Sequence, residues 1–286
     1  MASLSSPIDQ ATGLRQLLPH GGPRVVTFAA VPRAGRTMAC ANLAVAAAQM
    51  GWRALVLDCG GGLTGLSWVL RTEPHGDLLD MVNNRLPLRA IAAAACPGVE
   101  VVAAQRAASA LPRMSPEEQS RLARALTELA AQADLVLVDA GRDDLPWAQA
   151  AGEVVLVTRP GPDALTQSYR HLKRIHAHVG LSRVLVLMNG VESQAHADRI
   201  FGNLCATAGH FMQLPLELLG LLPEDENVAR AVSFRHTVVE AFPQSPAARA
   251  ARAGAAELMG RVGYGEDGID LVVRRLAAAA RLVGVR

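Results

Sequence analysis

The chain has 286 residues, of which 50% are hydrophobic and 19% are charged, and its formal net charge is +2 at pH 7. This composition supplies enough apolar surface for a folded core and excludes a largely disordered chain, while so small a charge gives no support to nucleic-acid binding. The four cysteines are scattered without a C-x-x-C pair, which favours reduced thiols over disulfides or a metal site. No signal peptide and no apolar run of about 18 residues is found, so a cytoplasmic protein is expected.

Short apolar runs alternate with helical stretches along most of the chain. The predicted strands are 25–30, 54–58, 99–103, 135–139, 154–158, 184–189 and 216–221. The predicted helices between them include 115–131, which begins with a capping box of Ser115 and Glu118, and 162–178. Apolar strands separated by helices are typical of an α/β fold with a mostly parallel sheet and helices on both faces.

A strand, a short turn and a helix follow one another within residues 25–38. This layout is typical of a phosphate-binding loop, because the N–H groups at the start of the helix face the phosphates. A P-loop reads G-x-x-x-x-G-K-[ST], and here Ala30 and Arg36 replace the first glycine and the lysine. Gly35 and Thr37 remain. The sequence therefore predicts a nucleotide site that departs from the usual motif.

Two further strands end in a carboxylate, at Asp58 and Asp139. The carboxyl ends of parallel strands meet at one edge of the sheet, where ligands bind in such folds. A loop threonine and a strand-terminal aspartate are the groups that hold Mg²⁺ in P-loop proteins. Thr37 and Asp139 are candidates for these two roles.

These motifs resemble the MinD/ParA class of P-loop ATPases, and within it the FlhG (FleN) family of flagellar-number regulators. The family motif K-G-G-V-G-K-T corresponds to residues 31–37, and its D-x-x-x-x-D-x-G switch corresponds to 134–141. Residues 219–225 and 239–249 also resemble the FlhG pattern. The resemblance spans roughly residues 8–255 and implies a P-loop NTPase-like fold of the MinD/ParA type.

The resemblance also implies a set of site residues, if nucleotide binding is retained. The nucleotide contacts then fall on Gly35, Arg36, Thr37, Met38 and Asn189. Asn189 matches the asparagine that reads adenine. Thr37, Asp58 and Asp139 would hold Mg²⁺, and Asp58 is the one candidate for a catalytic role. The implied cofactors are ATP or ADP with Mg²⁺.

Several catalytic features of the family are missing from this chain. Val31 occupies the position of the lysine that the family donates across a dimer, and Arg36 occupies that of the P-loop lysine. Gly60 occupies the position of the carboxylate that orients the attacking water. A planar guanidinium is not equivalent to an ammonium at a phosphate clamp, and Pro32 removes a backbone N–H donor. Each such electrostatic group is worth about 10²–10³ in rate, so ATP hydrolysis is expected to be absent or very weak.

Residues 9–15 match the D-Q-A-x-x-L-R motif of FlhG proteins. The matching positions are Asp9, Gln10, Ala11, Leu14 and Arg15. In that family the motif stimulates FlhF, a GTPase of the signal-recognition type, so an FlhF-type GTPase is the expected partner. A short N-terminal helix docked on the domain is the alternative. Residues 1–22 are therefore interpreted as a partner-activating segment, followed by a MinD/ParA-like domain over 23–262.

The remaining segment, 263–286, begins with a glycine-rich break and continues as a predicted amphipathic helix. Its candidate membrane-contacting residues are Ile269, Val272, Val273, Arg274, Arg275, Leu276 and Arg281. A basic amphipathic helix can lie on anionic lipid, which would place the protein peripherally at the inner face of the cell membrane. The same helix can instead pack on its own domain.

The predicted helix 162–178 carries His171, His176 and His178 beside Arg170, Lys173 and Arg174. No nucleophile lies at a recognisable spacing from these histidines. We therefore interpret this polar group as a solvated helix face.

Together these patterns predict a regulator of flagellar number or placement that acts on partners, as a monomer or a homodimer. The partners expected are an FlhF-type GTPase and a flagellar transcriptional regulator. One alternative is an active MinD-like ATPase switch with ATP-dependent dimerisation and membrane binding. Another is a ParA-like partition factor, against which the motif at 9–15 and the lack of a basic patch argue, so no nucleic acid is expected.

Overall fold

The computed structural model describes residues 22–60, 65–141, 144–151, 153–261 and 275–276. The predicted partner-activating residues and most of the predicted membrane-contacting residues lie outside these ranges. They are Asp9, Gln10, Ala11, Leu14, Arg15, Ile269, Val272, Val273, Arg274 and Arg281.

In the part of the chain that is described, eight strands form one sheet. The strands are β1 (Arg24–Ala30), β2 (Ala54–Asp58), β3 (Ala92–Cys96), β4 (Val99–Ala103), β5 (Leu135–Asp139), β6 (Val154–Thr158), β7 (Val184–Val191) and β8 (Leu216–Pro223). Their order across the sheet is β3-β4-β2-β5-β1-β6-β7-β8. All neighbouring pairs are parallel except β3 and β4, which confirms the predicted mostly parallel α/β sheet.

Helices connect the strands. They are α1 (Arg36–Gln49), α2 (Leu66–Val69), α3 (Leu78–Val82), α4 (Leu88–Ile91), α5 (Gln105–Ala110), α6 (Pro116–Ala130), α7 (Leu145–Ala151), α8 (Pro162–Val179), α9 (Gln194–Met212), α10 (Glu226–Ser233), α11 (Val238–Ala241) and α12 (Pro246–Gly260). The predicted capping box is present at α6, because Glu118 accepts from the Ser115 N–H and Ser115 Oγ accepts from the Glu118 N–H.

Both faces of the sheet are buried, as β1 illustrates. Val26 and Phe28 belong to a first hydrophobic cluster, which includes residues of α1 and α12. Val25 belongs to a second cluster with residues of α6, and Ala29 to a third with residues of α8 and α9. Successive side chains of a strand point to opposite faces, so this alternation shows that β1 is covered on both sides.

The sequence did not predict β3. Four of its five residues are alanines, which have a low preference for strands, so the segment carries no pattern of its own. It lies at the edge of the sheet, antiparallel to β4, and Gly98 in the intervening turn adopts φ +82°. This segment is a strand because it pairs with β4, and its side-chain pattern does not indicate one.

Leu276 is fully buried and belongs to the second hydrophobic cluster. The prediction that this side chain contacts lipid is therefore wrong for the conformation described, because the side chain already packs on the domain. Among the described residues, no helix combines the length and apolarity that crossing a bilayer requires.

Candidate functional site

The loop between β1 and α1 is shaped by Gly35, which caps α1 with φ +87°. A Cβ on Gly35 would overlap Nδ2 of Asn189, so any other residue here would have to displace that side chain and hold a strained φ. Asn189 Nδ2 donates a 2.9 Å hydrogen bond to the Ala34 carbonyl. The predicted adenine-reading side chain therefore holds the loop in this structure, a contact that no sequence pattern indicated.

The first three residues of the loop all differ from the family motif, and each has a distinct environment. Val31, at the position of the dimer-spanning lysine, is 8% exposed and packs in the first hydrophobic cluster. Pro32 is exposed beside it. Arg33 replaces a family glycine and adopts φ 65°, so the loop keeps a left-handed conformation while gaining an exposed guanidinium.

Asp139 accepts hydrogen bonds from two residues at the start of α1. Nε of Arg36 donates to its Oδ1, and Oγ1 of Thr37 donates to its Oδ2 at 2.7 Å. A second nitrogen of Arg36 donates to the carbonyl of Gly141. The Asp139 side chain is 1% exposed and that of Arg36 is 16% exposed, so the ion pair is shielded from solvent. The residue in place of the P-loop lysine thus neutralises the strand-terminal carboxylate.

The pKa of Asp139 is raised above its usual value. Burial is the main cause, since a low dielectric disfavours the charged carboxylate. The positive charge of Arg36 and the hydrogen bond from Thr37 oppose this rise without cancelling it.

Asp58 ends β2 directly beside Asp139, its register partner on β5. Its Oδ1 accepts from the N–H of Gly60 at 3.1 Å, and its Oδ2 accepts from Oγ of Ser67 at 3.4 Å. A Cβ on Gly60 would lie 3.4 Å from both an Arg36 nitrogen and an Asp139 oxygen. The water-positioning carboxylate of the family is therefore replaced by a glycine packed against the Arg36–Asp139 pair.

The predicted metal ligands are brought together, but not as a magnesium site. Both oxygens of Asp139 already accept hydrogen bonds, one of them from a guanidinium. Magnesium would have to displace that guanidinium, because two cations in contact with one carboxylate repel each other. Thr37, Asp58 and Asp139, as arranged here, do not fit Mg²⁺.

A cavity of about 880 Å³ lies over the loop and continues to α8. The loop contributes several predicted nucleotide contacts, including Met38, and α8 contributes Gln167, Arg170, His171 and Arg174. Arg170 and Arg174 are exposed, in line with the interpretation of this helix face as solvated, and they also line the cavity. The spacing of these four polar residues, i, i+3, i+4 and i+7, places them on one stripe of a helix and was the signal that could have identified them.

Asp144 anchors this helix stripe. It is 1% exposed, and its two oxygens contact Nε2 of His171 and a nitrogen of Arg174, each at 2.6 Å. Asp144 precedes α7, so the contacts tie the segment after β5 to α8. The orientation of Arg174 and His171 at the cavity wall is consequently set by a buried carboxylate.

Known proteins with similar sequences match most of this chain. Residues 33–238 match the family described as the CobQ/CobB/MinD/ParA nucleotide binding domain. The chain is 31% identical over 223 residues to the antiactivator FleN of Pseudomonas aeruginosa, covering 77% of this chain and 80% of FleN. It is 24% identical over 231 residues to an uncharacterized ATP-binding protein of Methanocaldococcus jannaschii, covering 79% and 83% of the two chains.

Solved structures share the fold at lower identity. The MinD cell division protein of Aquifex aeolicus superimposes with a TM-score of 0.67 and 17% identity, over 83% of this chain and 97% of that protein. The septum site-determining protein MinD of Pyrococcus horikoshii, solved with Mg-ADP, superimposes with a TM-score of 0.60 and 21% identity, over 82% of this chain and 96% of that protein. The predicted resemblance is thereby confirmed, and the chain belongs to the CobQ/CobB/MinD/ParA nucleotide-binding family, with the antiactivator FleN among its relatives.

Proposed function

We propose that this protein regulates flagellar number or placement by binding partners, and that its P-loop no longer turns over ATP. The similarity to the antiactivator FleN supports the regulatory role. An antiactivator opposes an activator, so a flagellar transcriptional regulator is one proposed partner. An FlhF-type GTPase is the other, supported by the motif at residues 9–15.

The contact of Arg36 with Asp139 is the observation that carries the proposed loss of turnover. In P-loop proteins the lysine at this position binds phosphate and the aspartate holds Mg²⁺. Here the two positions bind each other, so neither charge is directed at a ligand. Gly60 supplies no carboxylate to orient water. Transition-state stabilisation by these groups is therefore lost.

ATP turnover tests this proposal directly. The purified chain is incubated with ATP and Mg²⁺, and phosphate release is compared with that of Asp58→Ala and Asp139→Ala variants. We expect all three to release phosphate at the background rate. Turnover by the wild type that either substitution abolishes would instead establish an active ATPase switch and overturn the proposal.

The proposed GTPase partner needs a separate test. The full chain is mixed with an FlhF-type GTPase, and GTP hydrolysis is measured with the wild type, Gln10→Ala and Thr12→Ala. A positioned polar side chain can orient attacking water or polarise a phosphate, so Gln10→Ala should remove the stimulation. Thr12 occupies a variable position of the motif, so Thr12→Ala should retain it. Absence of stimulation by the wild type would rule out this partner.

A further inference from the structure

The helices α2 and α10 end in the same hydrogen-bonded turn, in which the second residue after the helix is left-handed. These two residues are Arg71, with φ 54°, and Arg235, with φ 57°. In both turns the next residue donates its N–H to the carbonyl five positions earlier, at 3.0 Å after α2 and 2.9 Å after α10. Glycine usually takes the left-handed position of such a turn, because a Cβ makes that conformation unfavourable. The backbone therefore does not account for the choice of arginine at either position.

The side chains of the two turns form one surface, which we call the aromatic patch and define as Trp68, Arg71, Phe234 and Arg235. The guanidinium of Arg235 lies over the ring of Trp68, 4.4 Å from its centroid, and Nε of Arg235 donates to the Trp68 carbonyl at 3.4 Å. Arg71 donates to Oε1 of Glu240, in α11, at 3.1 Å. These contacts orient both arginines within the free chain, so a partner that binds the patch need not order them.

The aromatic patch exposes apolar rings to solvent. Trp68 is 40% exposed and Phe234 is 59% exposed, and they are two of the three large hydrophobic side chains that are exposed in the described part of the chain. A single exposed hydrophobic residue is ordinary, whereas neighbouring ones mark interaction sites. Tryptophan and arginine are also the residue types that contribute most to binding at protein interfaces. The composition of the patch is thus typical of a protein-binding surface.

The charges around the aromatic patch favour an acidic partner. Arg71 is paired with Glu240. Arg235 and Arg230, which lies one turn before Phe234 in α10, form no ion pair with any residue that the structure describes. Carboxylates bind guanidinium groups with charge-assisted hydrogen bonds, and exposed rings are buried best by an apolar side chain. The complementary segment therefore carries an apolar side chain flanked by Asp or Glu.

We propose that the aromatic patch is the docking surface for the flagellar transcriptional regulator. An apolar side chain of the regulator contacts Trp68 and Phe234, and the flanking carboxylates contact Arg230 and Arg235. The inference rests on the proposed function, which assigns the GTPase partner to residues 9–15 and names no surface for the regulator. It adds that surface and the chemistry of the segment that binds there.

Binding of the full chain to a purified activator of flagellar transcription is measured by calorimetry for the wild type, Phe234→Ser and Arg235→Gly. Glycine favours the left-handed turn, so Arg235→Gly removes the guanidinium without straining the backbone. We expect each substitution to weaken binding by at least about tenfold. Phe211→Ser and Gln213→Gly are matched controls that should leave the affinity unchanged, because Phe211 is 69% exposed on α9 and Gln213 has φ 52°. Thermal unfolding checks that all variants are folded.

A charge reversal tests the acidic character of the partner segment. Arg235→Glu places a carboxylate where the partner is expected to present one, so it should weaken binding by at least about fivefold more than Arg235→Gly does. Equal affinities of these two variants would show that no carboxylate of the partner lies at Arg235, and would overturn the proposed chemistry.

The inference alone is overturned if the activator binds the wild type, Phe234→Ser and Arg235→Gly equally. It is also overturned if the two substitutions abolish stimulation of an FlhF-type GTPase and spare activator binding, or if they convert a wild-type dimer to a monomer in light scattering. These results would assign the patch to the GTPase or to a second copy of the chain. If the wild type does not bind the activator, the regulator partnership of the proposed function fails together with the inference, so the two failures are distinguishable.

Discussion

The guanidinium of Arg36 contacts the carboxylate of Asp139, a residue 103 positions later in the chain. The contact joins the first residue of α1 to the last residue of β5 across the carboxyl edge of the sheet. The positive charge of Arg36 stabilises the folded state, because a buried carboxylate without a partner is strongly unfavourable. The proposed loss of ATP turnover depends on the same contact, because it directs the two side chains at each other.

Removing the cation of this pair should destabilise the protein. Arg36→Met leaves Asp139 buried and uncompensated, so we expect the free energy of unfolding in urea to fall by about 3 kcal/mol. Adding Asp139→Asn should recover most of the loss. Arg53→Met is the control, because the Arg53–Asp134 pair is 53% exposed on the arginine side and should be worth no more than about 1 kcal/mol. Equal losses for the two arginine variants would contradict this assignment.

The raised pKa of Asp139 predicts a pH dependence of stability. A carboxyl whose pKa is higher in the folded than in the unfolded state binds protons more readily when folded, so its contribution is favourable at low pH. That contribution is lost as the pH rises from about 4 through the raised folded pKa. Urea unfolding of the wild type and Asp139→Asn from pH 4 to 7 measures it. The stability of the wild type relative to the variant should decrease over this range, and a difference that rises or stays constant would refute the prediction.

Gly35 should tolerate substitution less well than other glycines with positive φ. Gly35→Ala combines a strained φ of +87° with a clash at Asn189, so the Asn189–Ala34 hydrogen bond must break. We expect a loss of about 3 kcal/mol in the free energy of unfolding. Gly180, at the end of α8, has φ +65°, and a Cβ added there would have no atom within 4 Å, so Gly180→Ala should cost only about 1 kcal/mol. Similar losses would mean that Asn189 moves aside freely.

Burial of Leu276 predicts that the segment around it stabilises the domain. Leu276→Ala should lower the free energy of unfolding by about 2–4 kcal/mol, as expected for a fully buried leucine. Leu258→Ala, at a fully buried position in α12, is the reference for the loss expected from truncating a fully buried leucine. A loss below about 0.5 kcal/mol for Leu276→Ala would show that this contact does not persist in solution.

A liposome assay addresses the alternative of membrane binding. With Leu276 packed on the domain, we expect the full chain to show no more affinity for vesicles containing anionic lipid than a variant lacking residues 268–286. Binding of the full chain that this deletion abolishes would assign the segment to the membrane.

The fold and the location of the site were accessible from the sequence because both depend on local patterns. Apolar runs of strand length identified seven of the eight strands that are described, and Gly35 with Thr37 marked the loop. The alanine-rich β3 was missed because only its pairing with β4 makes it a strand. Gly60 and Val31 show from the sequence alone that the carboxylate and the lysine of the family motif are missing, since the identity of the residue suffices for that inference.

The sequence by itself determined the family, the fold class and the absence of particular catalytic side chains, because these follow from residue types at given spacings. Only the tertiary structure decided what Arg36 binds, what Asn189 holds and which arginines share a cavity. Arg33 lies in the loop and Arg170 in α8, so no local pattern relates them. Their charges face one space because β1 and β6 are neighbours in the sheet, which places the elements that follow these strands side by side.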